Sequence, residues 1–389
     1  MTEMTSRERM LAAMRLEQPD CVPVAPDVSN MIPCRLTGKP YWDVYLHKSP
    51  PIWKAYLAAR DHFGFDGWLG YAGMVSWKTA HPIQTEQKVI RRTDERLVVG
   101  YRHRTPAGDL TEEVTYFHDD PPHQTGKMIK DLKEDFPKVR CLLEEPIGYD
   151  DGVYREVRRL TGEKGIVCIR NGTPGLHDWA WPFDGGLEPA VYAYYDHSDI
   201  MQELAELQRR MYLKQCEMVC DVHPDVIVTG GSGLITMQSP DLFRELSLPT
   251  IREETRIARQ AGIVTMIHSC GKEREVVRMC AEETDLNCII PLETPPMGDC
   301  DLADLKKNWG SRICLMGNLH TTDVMLNGTP AEVEAAAKKA IDDAGAGGGF
   351  ILSTGDQCGR DTPDVNIFKL IEVARTYGKY PSAGQEPLF

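Results

Sequence analysis

The chain has no uninterrupted apolar run of about 18 residues, the length a membrane-spanning helix needs. Its start, Met1 to Arg15, mixes charges with a helical pattern where a signal peptide would carry an apolar core. None of its 12 cysteines forms a C-x-x-C pair, so neither a zinc ribbon nor a thioredoxin-type redox pair is indicated. No G-x-G-x-x-G follows the first apolar run, which removes the dinucleotide fingerprint. The glycine-rich stretch 345–349 precedes an apolar run and is not followed by Lys-Ser/Thr, so it is no P-loop; a helix C-cap and tight turn explain it. Positive charge is also short. Lys plus Arg is 44 against 58 Asp plus Glu, a balance of −14 that argues against nucleic acid and anionic membrane as partners. These absences lead us to expect a cytoplasmic protein in a reducing compartment, with no nucleic-acid or membrane partner.

What is present is a 389-residue chain with 42% hydrophobic residues, enough for a full core, read here as one domain over 1–389. Eight short apolar runs stand out: 22–25, 67–70, 166–170, 226–229, 263–267, 288–291, 313–317 and 350–353. Helical patterns lie between most of them, clearest over 198–222, 240–261, 273–283 and 330–344. Ser239-Pro240 and Thr329-Pro330 place a capping hydroxyl before proline at the first helical position. Strands alternating with helices predict an α/β (β/α)8 TIM barrel, with an open doubly wound sheet as the alternative. Residues 85–127 break the rhythm. Thr105-Pro106-Ala107-Gly108-Asp109 separates two alternating segments, 88–104 and 110–118, and predicts a β-hairpin inserted after the second strand.

In such a barrel the chemistry sits at the C-terminal ends of the strands. The polar residues there are Asn171 and His177, Ser232, His268 and Cys270, Glu293, Asn318 and His320, then Asp356 and Cys358. His268-Ser269-Cys270-Gly271 follows a buried-strand pattern, and Cys358 follows another. An imidazole and a thiolate two residues apart, with a distant thiolate, can make a three-ligand zinc site with one open position. A core histidine beside buried free cysteines fits the same spacing. Glu293 can act as a base or complete the ligand shell, or serve as a capping carboxylate. His320 can hold substrate or be solvated, and Asn318 can merely satisfy its own turn. The ring-rich segment 177–196, with His177, Trp179, Trp181 and Tyr192, is a candidate pocket wall or ordinary packing over the barrel mouth.

Several blocks together resemble the uroporphyrinogen decarboxylase superfamily, in its corrinoid-dependent methyltransferase branch. They are Thr5–Arg9 through Pro19–Val24, Gly231-Ser232-Gly233 followed by Ser239–Phe243, His268-Ser269-Cys270-Gly271, Gly317-Asn318-Leu319, and Cys358 with Thr362-Pro363. The resemblance implies a (β/α)8 barrel with Zn2+ held by His268, Cys270 and Cys358. Two departures narrow it. The arginine-rich R-Q-A-G-R loop of the decarboxylases is replaced by Pro26–Arg35, so porphyrin decarboxylation is not expected. The D-x-H-x-x-G of corrinoid-binding domains is missing; the nearest run, Asp221-Val222-His223-Pro224-Asp225-Val226, lacks the glycine, so the corrinoid (cobalamin) must come on a partner protein. The expected activity is transfer of a methyl group from a small-molecule methyl donor to the cobalt(I) of a separate corrinoid protein. The favoured donor is an aryl methyl ether (O-demethylation), with Glu293, His320 and Asn318 near the chemistry and Asn171, His177, Trp179, Trp181 and Tyr192 around the substrate. A methylcorrinoid protein:thiol methyltransferase is the alternative, and a non-catalytic binding subunit a further one. The oligomeric state, a homodimer included, is left open.

Overall fold

The computed structural model describes residues 3–381. Seven parallel strands make the central sheet: β1 (Gly67–Leu69), then β8 (Gly165–Arg170), β9 (Val226–Thr229), β10 (Val264–Ser269), β11 (Cys288–Pro291), β12 (Cys314–Leu319) and β13 (Phe350–Thr354), neighbours in that order. The remaining strands lie outside it: β2 (Ser76–Lys78) pairs with β7 (Gly148–Asp150), and β3 (Gln84–Arg92), β4 (Arg96–Thr105), β5 (Gly108–Phe117) and β6 (His123–Gly126) form an antiparallel sheet. Each central strand begins and ends within two residues of an apolar run read from the sequence.

The expected eighth strand, 22–25, is reduced to a single parallel bridge, Val24 to Leu352. Pro23 has no N–H to extend a ladder, and Pro26 stops the segment. The segment nonetheless joins the two edges of the sheet. Ala25 N donates to Leu352 O at 2.9 Å and Leu352 N to Pro23 O at 2.9 Å, while Asp66 N donates to Val24 O at 2.8 Å. Asp66 fixes this seam. Its fully buried carboxylate accepts from Val24 N at 2.9 Å and pairs with Arg9 at 2.9 Å and Arg375 at 2.8 Å. A carboxylate buried that deeply is held by its partners, so removing one of them would leave a costly unpaired charge.

Side-chain period two sorts the strands into two faces. Ile166 and Cys168, Val226 and Val228, Val264 and Met266, Cys288 and Ile290, Cys314 and Met316, and Ile351 fill the interior together with the helix Ser6–Met14. The alternate residues, such as Val167, Ile169, Ile227, Ile267 and Ile289, pack outward against the helices. Several free cysteines therefore serve as small core residues. The outer helices follow the sequence closely. Ser198–Val222 and Pro330–Ala344 have the expected bounds, and Thr329 and Glu332 close a capping box on the latter, a device whose loss typically costs about 1 kcal/mol. The helix expected over 240–261 is interrupted by a π-turn at Phe243–Ser247. Pro249 lacks the N–H that would bond back one α-turn, so the ladder widens just ahead of it.

The hairpin expected over 85–127 is a four-stranded antiparallel meander. Its turn at Pro106-Ala107 stands where it was expected, with Thr105 opposite Gly108. The segment 88–104 is two strands, because Thr93-Asp94-Glu95 makes a turn: Thr93 Oγ1 accepts from Arg96 N at 3.1 Å and Thr93 N donates to Arg96 O at 2.9 Å. A Thr hydroxyl that bonds the backbone two or three residues on is a turn device that alternation of hydropathy does not reveal.

Candidate metal centre at the barrel mouth

His268 continues the inward row of β10 after Val264 and Met266, and Asn318 does the same on β12 after Cys314 and Met316. The strand register thus brings polar side chains to the top of the barrel interior. Gly271 then turns the chain at φ +93°, a conformation that favours glycine. A Cβ there would lie 2.1 Å from Thr236 Oγ1, whose hydroxyl instead accepts from Lys272 N at 2.9 Å. The turn aims the Gly271 N–H at the Glu293 carboxylate, with which it forms a short hydrogen bond.

Two groups of metal-ligating atoms lie at this mouth, each with all members within 4.8 Å of one another: Asp27, His268 and Asp356, and Cys270, Glu293 and Asp356. Asp356 belongs to both. His268 Nε2 stands 3.9 Å from its Oδ1, and the backbone of Asp356 has φ +125°, uncommon for a residue with a Cβ. His268 Nδ1 is buried without a hydrogen-bond partner among the described residues. Burial holds the His268 imidazole neutral, its pKa pushed down to about 4, the form in which histidine binds metals. Burial raises the Cys270 thiol to about 11 and the Cys358 thiol to about 12, with nearby carboxylates adding to the rise. Asp356 is raised to about 7 by burial first, then by Asp27 and Glu293. Negative charge is crowded and poorly compensated here, which is the electrostatic condition a divalent cation relieves. The donor set, one imidazole with thiols and carboxylates, fits zinc.

Of the expected ligands, His268 and Cys270 enter these groups and Cys358 enters neither. The Cys358 thiol is fully buried beside Thr354 and Thr362 and feels Asp27 and Asp356, the two carboxylates grouped with His268. Its N–H donates to Asp27 O at 2.7 Å. Asp27 carries no motif in the sequence, and Asp356 stands out there only as a strand-end polar residue. Their positions, Asp27 just after the 22–25 segment and Asp356 just after β13, are the signal the sequence offers.

The other expected site residues separate into three settings. Glu293 is buried and its carboxyl raised by desolvation, with the Gly271 hydrogen bond and His320 opposing. Asn318 Nδ2 donates to Leu292 O at 2.9 Å, steadying the loop that carries Glu293. His320 caps the helical turn Thr321–Leu326 by accepting from Asp323 N at 2.9 Å through Nδ1, which leaves Nε2 as its protonated nitrogen and without a hydrogen-bond partner among the described residues. Asn171 is committed elsewhere: its Nδ2 donates to Tyr212 O at 2.9 Å and to Glu254 at 2.7 Å. His177 is buried, neutral with its pKa pushed down to about 4, and 3.3 Å from Thr173 Oγ1.

The ring-rich segment does not form a common wall. Trp179 is fully buried in a satellite core with Phe136, Phe183 and Leu204, and its Nε1 donates to Gln208 at 2.6 Å. Trp181 and Tyr192 are exposed, the Tyr192 hydroxyl bonded to Glu188 in its own helix at 3.1 Å. Aromatic lining appears in a different place. A cavity of about 330 Å³ is lined by Ser29, Asn30, Tyr56, Trp68, Tyr71 and Arg170 among others, at the C-terminal ends of β1 and β8. It adjoins the metal-ligating groups, since Ser29 N donates to Asp27 at 2.9 Å and Arg170 is close enough to His268 to disfavour its protonation.

Comparison with known proteins agrees with this architecture. A solved structure described as a methyltransferase from Methanosarcina mazei superposes over 96% of this chain and 99% of its own, with a TM-score of 0.64 at 19% identity, a likeness of fold. Two relatives named methylcobamide:CoM methyltransferase MtbA are similar in sequence. The one from Methanosarcina mazei is 29% identical over 139 residues, and the one from Methanosarcina acetivorans 26% over 137. Each match takes in 35% of this chain and 37% of the relative, so the chain matches little more than a third of the length of these relatives. No helix among the described residues is long and apolar enough to cross a membrane. Residues 187–377, which hold β9 to β13 and the His268–Cys358 region, match the family model described as uroporphyrinogen decarboxylase (URO-D).

Proposed function

We propose that this protein is a zinc-dependent methyltransferase that passes a methyl group from an aryl methyl ether to the cobalt(I) of a separate corrinoid protein. The observation that carries this reading is the adjacency of a zinc-compatible donor cluster and a cavity walled by Tyr56, Trp68 and Tyr71 at one barrel mouth. The relatives named as methylcobamide:CoM methyltransferases support the corrinoid chemistry. In balance, the cobalt(I) electron pair forms the new bond to the methyl carbon. The carbon–oxygen bond breaks, and the phenolate leaves with its electron pair.

His268, Cys270 and Cys358 would hold the zinc, with Asp356 facing them. When bound, zinc supplies Lewis acidity where negative charge develops on the departing oxygen. The chain's own residues do the rest. Glu293 is held by the Gly271 N–H and by the loop that Asn318 steadies, so its carboxylate is presented in one place. His320 carries its proton on the buried Nε2, because Nδ1 accepts from Asp323 N. The Tyr56 and Tyr71 hydroxyls are engaged with Trp68 N and Ser29 O, so neither is left over to bond a substrate. A cavity of this size, at the lower end of the roughly 300–1,000 Å³ usual for small-molecule sites, suits a single-ring substrate and not a tetrapyrrole.

A second reading, methyl transfer from a methylcorrinoid protein to a thiol, is favoured by the printed names of the two relatives. The two separate in one assay. The zinc-loaded protein is mixed with a corrinoid protein in the cobalt(I) state and a panel of methoxyarenes, and methylcobalt is read by absorbance. In parallel, methylcobalt is offered to a thiol. Methylcobalt growing only with methoxyarenes supports the ether reading. Methylation of the thiol with no response to methoxyarenes replaces it with the second.

A further inference from the structure

Two cysteines far from the metal cluster bring their thiols together. Cys216 and Cys220 lie on the helix Ser198–Val222, four residues apart and so on one face, one turn above the other. Cys216 is fully buried, and Cys220 is half-buried against the same core cluster. The Cys216 S–H bonds to the Cys220 sulfur and also faces the Glu254 carbonyl oxygen, 3.7 Å away on the neighbouring helix Leu248–Gln260. Residues four apart on an α-helix have Cα atoms about 6 Å apart. That lies inside the roughly 4.4–6.8 Å that a disulfide spans. The pair is therefore placed for a bond that needs side-chain rotation and little backbone movement.

Access and hydrogen bonding give the two thiols different roles. The bond from Cys216 stabilises a Cys220 thiolate and lowers the Cys220 thiol, against burial and the Asp221 and Glu217 carboxylates. The same bond, with burial, keeps Cys216 protonated. The thiol that solvent reaches is thus the one more readily ionised, and the buried thiol stands behind it as a partner. Cys288 and Cys314 provide a contrast. They are register partners on β11 and β12 and their thiols also hydrogen-bond, yet both are fully buried in the barrel interior. An oxidant reaches them only when the barrel opens.

We propose that Cys216 and Cys220 form a peroxide-oxidisable dithiol, in which Cys220 is oxidised first and Cys216 closes a disulfide within the helix. The Cys220 thiolate attacks one oxygen of hydrogen peroxide, the O–O bond breaks and hydroxide leaves. Sulfur is oxidised to a sulfenic acid and the peroxide is reduced. The Cys216 sulfur then attacks the sulfenic sulfur, the S–S bond forms and a second hydroxide leaves. The two thiol protons turn the two hydroxides into water, so two thiols and one peroxide give one disulfide and two waters. A bridge across one helical turn is strained, and strained disulfides are the easily reduced ones. Closure also keeps Cys220 from passing to the irreversible sulfinic acid. The test is treatment of the folded, full chain with hydrogen peroxide, alkylation of the remaining thiols after unfolding, and peptide mass spectrometry. The peptide carrying Cys216 and Cys220 should lose two hydrogens before Cys141, a single thiol of similar exposure, is oxidised, and dithiothreitol should restore it. Cys288 and Cys314 should still be alkylated. Cys216→Ala should leave Cys220 as a sulfenic acid that dimedone traps, and Cys220→Ser should leave Cys216 unoxidised. Retention of both thiols while Cys141 is oxidised would overturn the proposal. So would oxidation of Cys216 in Cys220→Ser at the wild-type rate, because Cys220 would then not be the point of entry. Oxidation of Cys288 and Cys314 along with the pair would also overturn it, since the peroxide would be acting on an opened chain.

Discussion

His268 Nε2 and Asp356 Oδ1 stand 3.9 Å apart across the barrel mouth, one at the end of β10 and the other just past β13. Asp356 is also the residue common to both groups of metal-ligating atoms. Its expected part is to support the metal without being one of the three principal ligands. Asp356→Asn should weaken zinc binding about 10- to 100-fold, the usual effect of losing a supporting carboxylate. Cys270→Ser and Cys358→Ser should each leave a folded barrel without zinc. Chelator competition on the three variants measures this; unchanged zinc affinity in both cysteine variants would count against the assignment.

The aromatic segment gives a contrasting expectation. Trp179 is packed and hydrogen-bonded in a satellite core, so Trp179→Ala should destabilise the protein by about 3–5 kcal/mol, as large core deletions do. Tyr192→Phe, at an exposed hydroxyl, should change stability by less than about 0.5 kcal/mol and leave turnover as it is. Urea denaturation and the methyl-transfer assay decide both. A marked loss of turnover in Tyr192→Phe would return that segment to the active site.

Gly271→Ala should cost more than about 1 kcal/mol, because the position has φ +93° and the new Cβ would meet Thr236 Oγ1. It should also release Glu293 from the Gly271 N–H and lower turnover. A variant with wild-type melting temperature and turnover would show that the turn tolerates a side chain.

Glu254 provides a pH test away from the metal cluster. It is fully buried between Asn171 and Thr229, and burial holds its pKa well above the ordinary 4.5. The folded protein thus keeps a proton that the unfolded chain gives up. The stability from this carboxyl is complete below the unfolded pKa and is lost as pH rises through the folded one. Glu254→Gln is neutral at every pH, so its stability relative to wild type should grow as pH rises above the ordinary carboxylate range. Urea midpoints from about pH 4 to 9 report it; parallel pH profiles for the two proteins would refute a protonated Glu254.

The parts legible in the sequence were those set by local pattern. Apolar runs located β8 to β13, and Ser239 and Thr329 located two helix starts, because hydrophobic period and capping chemistry act over a few residues. The apolar content of 22–25 predicts a strand, yet Pro23 reduces it to a bridge. The turn at Thr93 was hidden inside a long alternating stretch. The dense rings of 177–196 predict a cavity wall there, while the lining rings are Tyr56, Trp68 and Tyr71. These come from a helix and from the end of β1, which only closure of the sheet brings together. Asp27 and Asp356 likewise owe their importance to the seam between β13 and β1, which joins residues more than 300 positions apart.

Zinc K-edge X-ray absorption on the purified, zinc-loaded protein tests the central claim most directly. One zinc per chain is expected, with two sulfur neighbours at about 2.3 Å and the remainder nitrogen or oxygen at about 2.0–2.2 Å. The two sulfurs would be those of Cys270 and Cys358. A shell of nitrogen and oxygen alone would contradict it and place the metal on Asp27, His268 and Asp356, and failure to retain zinc would remove the metal centre altogether.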